Sequence, residues 1–141
     1  NNTMLILVGD GELRMQIENK INNLGLNKSV ILTGNRNDVA GILQIMNVFA
    51  FPSLWEGLPV TLVEAQAAGL PCVISNNITH DVDLSDLICR LPIDNEDLWC
   101  DKLLKKREKK IVTESIISAG FDVRDTAQKL TDFYVKLSQG D

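Results

Sequence analysis

The chain has 141 residues, enough for one domain with a real core and too few for two comfortable ones. An apolar fraction of 45% is that of a globular protein, and a net charge of −5 weighs against nucleic acid or an anionic membrane as the main partner, because both reward basic patches. Three widely spaced cysteines with no CxxC pair, and a single histidine (His80), weigh against a metal site or a disulfide framework and favour a reducing compartment.

Met4 to Val8 is a continuous apolar run, the pattern of a strand buried on both faces. Gly9-Asp10-Gly11 breaks it. Leu13, Ile17, Ile21 and Leu24 then recur at helical spacing, and Gly25 stands where a helix would end. A second strand comes next, from Val30 to Thr33, then a loop, Gly34 to Asp38, that ends in a candidate N-cap before a short helix through Ile42, Leu43 and Met46. Val48 to Phe51 reads as a third strand. The stretch PSLWEGLPVTLVEAQAAGLP, from Pro52 to Pro71, gives a loop and a helix closed by Ala68-Gly69, and Cys72 to Ser75 gives a fourth strand. Beyond it, Asp86 to Leu91 is one more candidate strand, and Glu96 to Arg107 and Val123 to Leu137 are candidate helices. The basic run Lys105 to Lys110 reads as the solvated end of a helix, with a membrane-surface contact as the sharper alternative.

Strand and helix alternating with short connections predict an α/β fold, a doubly wound parallel sheet. Ligands of such sheets sit beyond the carboxyl ends of the strands. Three polar, glycine-bearing loops qualify: Gly9 to Gly11, Gly34 to Asp38, and Pro52 to Pro59. Gly9-Asp10-Gly11 lacks the third glycine of a dinucleotide fingerprint, position 14 being Arg, and reads first as a tight turn. That gap also disfavours a dehydrogenase half-domain.

The third loop carries the most chemistry. Pro59 suits the first turn of a helix, where its missing N–H costs nothing, and the free donors there are the amides of Leu58, Val60 and Thr61. A helix N-terminus attracts phosphate, and Gly57 lets a ligand approach the backbone. Val60, Thr61 and Glu64 share one helical face. A phosphate at the helix mouth therefore places its attached group near Glu64, whose carboxylate suits the vicinal hydroxyls of a ribose. Glu56, before the turn, would meet a second hydroxylated group. Glu64 as a plain exposed helix residue and Glu56 as an ordinary loop acid stay open. So does Trp55, which either covers core or stacks on a sugar.

Pro52-Ser53-Leu54-Trp55-Glu56-Gly57-Leu58-Pro59, followed by Glu64-Ala65-Gln66-Ala67-Ala68-Gly69-Leu70-Pro71, resembles the signature of the family 4 glycosyltransferases, the large retaining GT-B group. Val8-Gly9-Asp10-Gly11 with Leu13-Arg14, and Thr33 to Val39, are similar to family landmarks. The tail from Asp81-Val82-Asp83 onward is more loosely similar to the capsular and exopolysaccharide transferases of bacteria. The resemblance implies a single Rossmann-like domain over 1–141, the C-terminal, donor-binding half of a GT-B fold.

It also assigns roles. Glu56 supports the reaction centre beside the donor sugar, and Glu64 holds the donor ribose. The backbone around Gly57, Leu58, Val60 and Thr61 holds the diphosphate. Asn35 and Arg36 read the base. The donor is a nucleoside diphosphate sugar, with a UDP-hexose favoured by family frequency, and the acceptor a glycan or lipid-linked sugar held by an N-terminal domain outside this sequence. No cofactor or metal is implied, because the family neutralises its leaving group with an Arg and a Lys that lie before this sequence begins. The isolated chain is thus expected to be inactive. The expected location is cytoplasmic, with peripheral contact at the inner face of a membrane. A nucleotide-sugar epimerase on the same architecture and a non-catalytic Rossmann-like binding module are the rival readings.

Overall fold

A computed structural model of the chain describes residues 3–139, so Asn1 and Asn2 lie outside the described residues. The chain forms two compact units, Asn1–Gly41 and Ile42–Asp141.

In the first unit, β1 (Leu5–Val8) pairs in parallel with β2 (Val30–Gly34), joined through α1 (Arg14–Asn23). The register slips between Leu7 and Val8, and Gly9 closes on Gly34, its amide donating to the Gly34 carbonyl at 2.9 Å. The continuous apolar run of β1 predicted burial on both faces. Instead Leu5 and Val8 are exposed: β1 has β2 as its one partner among the described residues, and α1 buries no side chain. The end of α1 matches expectation. The Gly25 amide donates to Asn22 and the Leu26 amide to Ile21, a Schellman closure around a glycine.

A short helix, α2 (Val39–Ile45), spans the division between the units. In the second unit β3 (Phe49–Phe51), β4 (Cys72–Ser75) and β5 (Ile88–Leu91) pair in parallel, with β4 in the centre. All four residues of β4 are fully buried, as a central parallel strand requires. The helix α3 (Val60–Ala67) connects β3 to β4 and buries Leu62, Val63, Ala65 and Gln66. A 3₁₀ turn at His80–Val82 interrupts the loop between β4 and β5.

After β5, α4 (Glu96–Leu104) begins at Asn95, whose side chain accepts from the Leu98 amide at 3.0 Å. Trp99 packs on Val73 and Leu91, and its indole N–H donates to the Pro92 carbonyl at 2.9 Å. The helix expected to reach Arg107 stops at Leu104. The basic run is therefore not the end of a helix: from Lys105 on it is irregular chain pinned across the protein, with the Lys110 amide donating to the Gly69 carbonyl at 3.1 Å. A further helix that the sequence pattern did not announce, α5 (Thr113–Ser118), buries Ile116 and packs on α3. The last helix, α6 (Val123–Gln139), forms where periodicity predicted it and buries nothing.

Candidate functional site

The helix mouth of the second unit is built by the end of β3 and the start of α3. Pro59 occupies the cap position just before the helix, and its carbonyl accepts from the Leu62 amide at 2.9 Å. No side chain caps this end of α3. The Val60 and Thr61 amides, in the first turn, thus lie where a helix has no carbonyl of its own to offer. With the aligned peptide dipoles they make a concentration of partial positive charge suited to a phosphate.

The burial of α3 orients the rest. Leu62, Val63, Ala65 and Gln66 face the core, so Val60, Thr61 and Glu64 are left together on the open face. That is the arrangement the spacing predicted. Gly57 and Leu58 are exposed in the preceding loop. Trp55 is 85% exposed, so it does not cover core.

Glu56 has a partner that spacing alone did not point to. Ser53, half-buried at the end of β3, donates its hydroxyl to Glu56 Oε1 at 2.7 Å, with a longer contact of 3.4 Å to the Trp55 carbonyl. A hydroxyl has one proton, and the carboxylate oxygen at the shorter distance takes it. One carboxylate oxygen of Glu56 is held, and the other makes no hydrogen bond among the described residues. The signal in the sequence is a Ser three residues before the Glu.

A second residue missed by the pattern is Gln66. Its amide N–H donates to the Val82 carbonyl at 2.9 Å and to the Leu62 carbonyl at 3.3 Å, and its oxygen accepts from the Ser85 hydroxyl at 2.8 Å. This buried side chain ties α3 to the loop between β4 and β5. Arg90 ties the same loop to β5, donating to the Ile78 carbonyl (2.7 Å), the Thr79 carbonyl (2.8 Å) and both oxygens of Asp83. His80 Nδ1 lies 2.6 Å from Asp83 Oδ2. Partial burial pushes the Asp83 carboxyl up, and the hydrogen bonds from Arg90 and His80 outweigh it, so the net displacement is downward.

In the first unit, Asn35 and Arg36 are exposed in the loop after β2. The Arg36 guanidinium is paired with Asp38 through two bonds of 2.8 and 2.6 Å, which holds the Asp38 carboxyl below its ordinary range. A hollow of about 510 Å³ opens beside the Gly9 to Gly11 turn, floored by Leu7, Leu13, Ile17 and Leu32. Arg14 stands at its rim, bonded to Asp10 (3.1 Å) and Glu18 (2.9 Å). Gly9 in this turn has φ 131°, a backbone that favours glycine. Among the described residues no three His, Cys, Asp or Glu side chains group closely enough to hold a metal ion.

Residues 1–85 match the family described as glycosyl transferases group 1. The chain belongs to that family. Curated relatives agree along nearly its whole length. EpsF of Bacillus subtilis (strain 168), a putative glycosyltransferase by name, is 34% identical over 137 residues, which cover 92% of this chain and 36% of that one. The UDP-Gal:alpha-D-GlcNAc-diphosphoundecaprenol alpha-1,3-galactosyltransferase of Escherichia coli is 31% identical over 144 residues, 96% of this chain and 37% of its own. This group 1 chain spans a little over a third of the length of these relatives.

Among solved structures, the sucrose-phosphate synthase of Thermosynechococcus elongatus superposes with a TM-score of 0.72 at 20% identity, covering 98% of this chain and 39% of that one. The pneumococcal O-GlcNAc transferase GtfA, solved with UDP and GlcNAc, gives 0.69 at 19% identity, covering 98% and 30%. At such identities the likeness shows the fold, and the fold is that of GT-B glycosyltransferases.

Proposed function

We propose that this group 1 chain binds the donor of a retaining glycosyltransferase, a nucleoside diphosphate sugar of the UDP-hexose class. The full-length enzyme would transfer the hexose to a growing polysaccharide or a lipid-linked sugar. The observation that carries the reading is the mouth of α3. Its first-turn amides are uncapped, Val60, Thr61 and Glu64 share its open face, and Glu56 stands before it with one oxygen held by Ser53.

In this reading the amides of Leu58, Val60 and Thr61 take the diphosphate, and Gly57 lets it approach. The Glu64 carboxylate accepts from two ribose hydroxyls, and the free oxygen of Glu56 faces the donor sugar and the reaction centre. Asn35 and Arg36 enter as base-reading residues on resemblance alone. No metal is required of this chain's residues. The acceptor class is taken from the relatives, one of which is named for a diphosphoundecaprenol substrate and another for capsular polysaccharide synthesis. A reducing cytoplasm fits three free thiols, and a lipid-linked acceptor would bring the enzyme to a membrane face.

The test is a backbone-amide NMR titration with UDP, GDP and UDP-glucose on the wild type and on Glu64→Ala. Shifts centred on 57–64 that weaken at least tenfold in Glu64→Ala support the assignment. Shifts confined to other loops, or an unchanged affinity in Glu64→Ala, overturn it.

A further inference from the structure

Glu56 lies on an exposed loop and makes no ion pair among the described residues. A glutamate so placed turns about χ1 and χ2, and each torsion has three staggered wells. One contact restrains it. Glu56 Oε1 takes the Ser53 hydroxyl at 2.7 Å, and that is the one hydrogen bond of this side chain among the described residues.

Ser53 is well placed to set a direction. It stands two residues past the end of β3, with Pro52 between, and the proline ring fixes its own φ. Along its whole length β3 pairs with β4, whose four residues are fully buried. The hydroxyl is therefore tied to the sheet, and Glu56 is tied to the hydroxyl. A serine that only shapes a turn bonds a backbone group close by in sequence. Here the backbone acceptor within reach, the Trp55 carbonyl, is the longer contact at 3.4 Å, and the carboxylate takes the proton. The bond fixes a side chain rather than the path of the chain. With Oε1 engaged, Oε2 is presented in one direction.

We infer that Ser53 is a positioning residue: its hydroxyl aims the Glu56 carboxylate at the hexose of the donor and takes no part in holding the nucleotide. This role rests on the donor reading proposed above. Without the hydroxyl, free rotation about χ1 and χ2 leaves the carboxylate in its working direction about one-ninth of the time. That loss falls on the hexose end alone.

The test is an NMR titration of the whole chain with UDP and with UDP-glucose, observing the Glu56 carboxyl carbon and the backbone amides of 57–64. In the wild type, UDP-glucose at saturation should move the carboxyl signal and UDP should leave it in place. In Ser53→Ala that movement should fall about fivefold or more, since the carboxylate is averaged over its rotamers. The affinities for both ligands should stay within about twofold of wild type, because the contact orients a group rather than binding the nucleotide. Ser53→Thr keeps a hydroxyl on the same carbon and should restore the movement.

An unchanged carboxyl movement in Ser53→Ala overturns the role. So does a UDP affinity weakened about fivefold or more in that variant, which would mean that the hydroxyl holds the loop. Failure of Ser53→Thr to restore the movement overturns it as well, and so does a carboxyl signal that UDP moves as far as UDP-glucose does. In each of these cases UDP still binds, and the donor reading stands. No movement of the 57–64 amides with either ligand would remove the donor reading itself, and this role with it.

Discussion

Gln66→Leu tests the link between α3 and the loop after β4. The side chain is fully buried, and leucine fills nearly the same volume without its amide. The Leu62 carbonyl loses little, because it is an ordinary helix acceptor one turn earlier. The Val82 carbonyl loses its 2.9 Å donor but keeps a second one, the Leu84 amide, also at 2.9 Å. The Ser85 hydroxyl loses the acceptor at 2.8 Å, and Ser85 is half-buried. An orphaned buried group costs about 1–3 kcal/mol, and neither group is wholly orphaned, so the low end applies to each. The expected sum is roughly 2 kcal/mol, or about 6 °C in Tm for a domain of this size. Urea unfolding measures it as a lower midpoint at unchanged slope. The companion Gln66→Leu with Ser85→Ala removes both partners of one bond and should recover about 1 kcal/mol, since deleting a pair costs less than orphaning one half. A single variant within about 0.5 kcal/mol of wild type, or no recovery in the double, would refute the reasoning.

Gly69→Ala should cost about 3 kcal/mol or more by urea unfolding. Gly69 has φ +73°, costly for any residue with a Cβ, and that Cβ would lie 2.5 Å from the Lys110 carbonyl oxygen. Acid should loosen the loop between β4 and β5. A carboxyl held below its ordinary 3.8, as Asp83 is, contributes stability that is fully present above that value and is lost as the pH falls through its lower folded value. Amide exchange in 76–87 should therefore accelerate as the pH drops below about 3.8, after correction for the intrinsic rate, and Arg90→Leu should weaken that pH dependence, leaving the part that His80 supplies. In thiol labelling at pH 8, the exposed Cys100 should react fast and Cys72 only on unfolding, because burial pushes the Cys72 thiol up to about 12. In the full-length enzyme Ser53→Ala should lower kcat about tenfold with KM little changed, and Ser53→Thr should restore most of it, if the hydroxyl orients Glu56.

The candidate site's layout was legible because it depends on local spacing. Val60, Thr61 and Glu64 share a face by helix geometry alone, and Gly25 and Gly69 end their helices because only glycine adopts that backbone at no cost. Burial depends on partners a pattern does not contain. The apolar run of β1 promised two covered faces, yet Leu5 and Val8 are open, since a run says only that a strand tolerates burial. Lys105 to Lys110 failed as a helix end for a related reason. The helix stops at Leu104 and the chain turns back to bond Gly69, a residue far away in sequence.

The same division explains Ser53, Gln66 and Arg90. Each acts by reaching a group several residues away or more, and each is of a type that more often sits on a solvated surface. Ser53 lies inside the motif that carries the family resemblance, where spacing gives it no role. Yet a glutamate on a loop takes a fixed position only where something rigid holds it, and the nearest rigid element is the end of β3. A polar side chain just past the end of a strand, three residues before a carboxylate, is therefore a place to look for the group that orients it. In this chain the Ser53 hydroxyl, bonded to Glu56 at 2.7 Å, is that group.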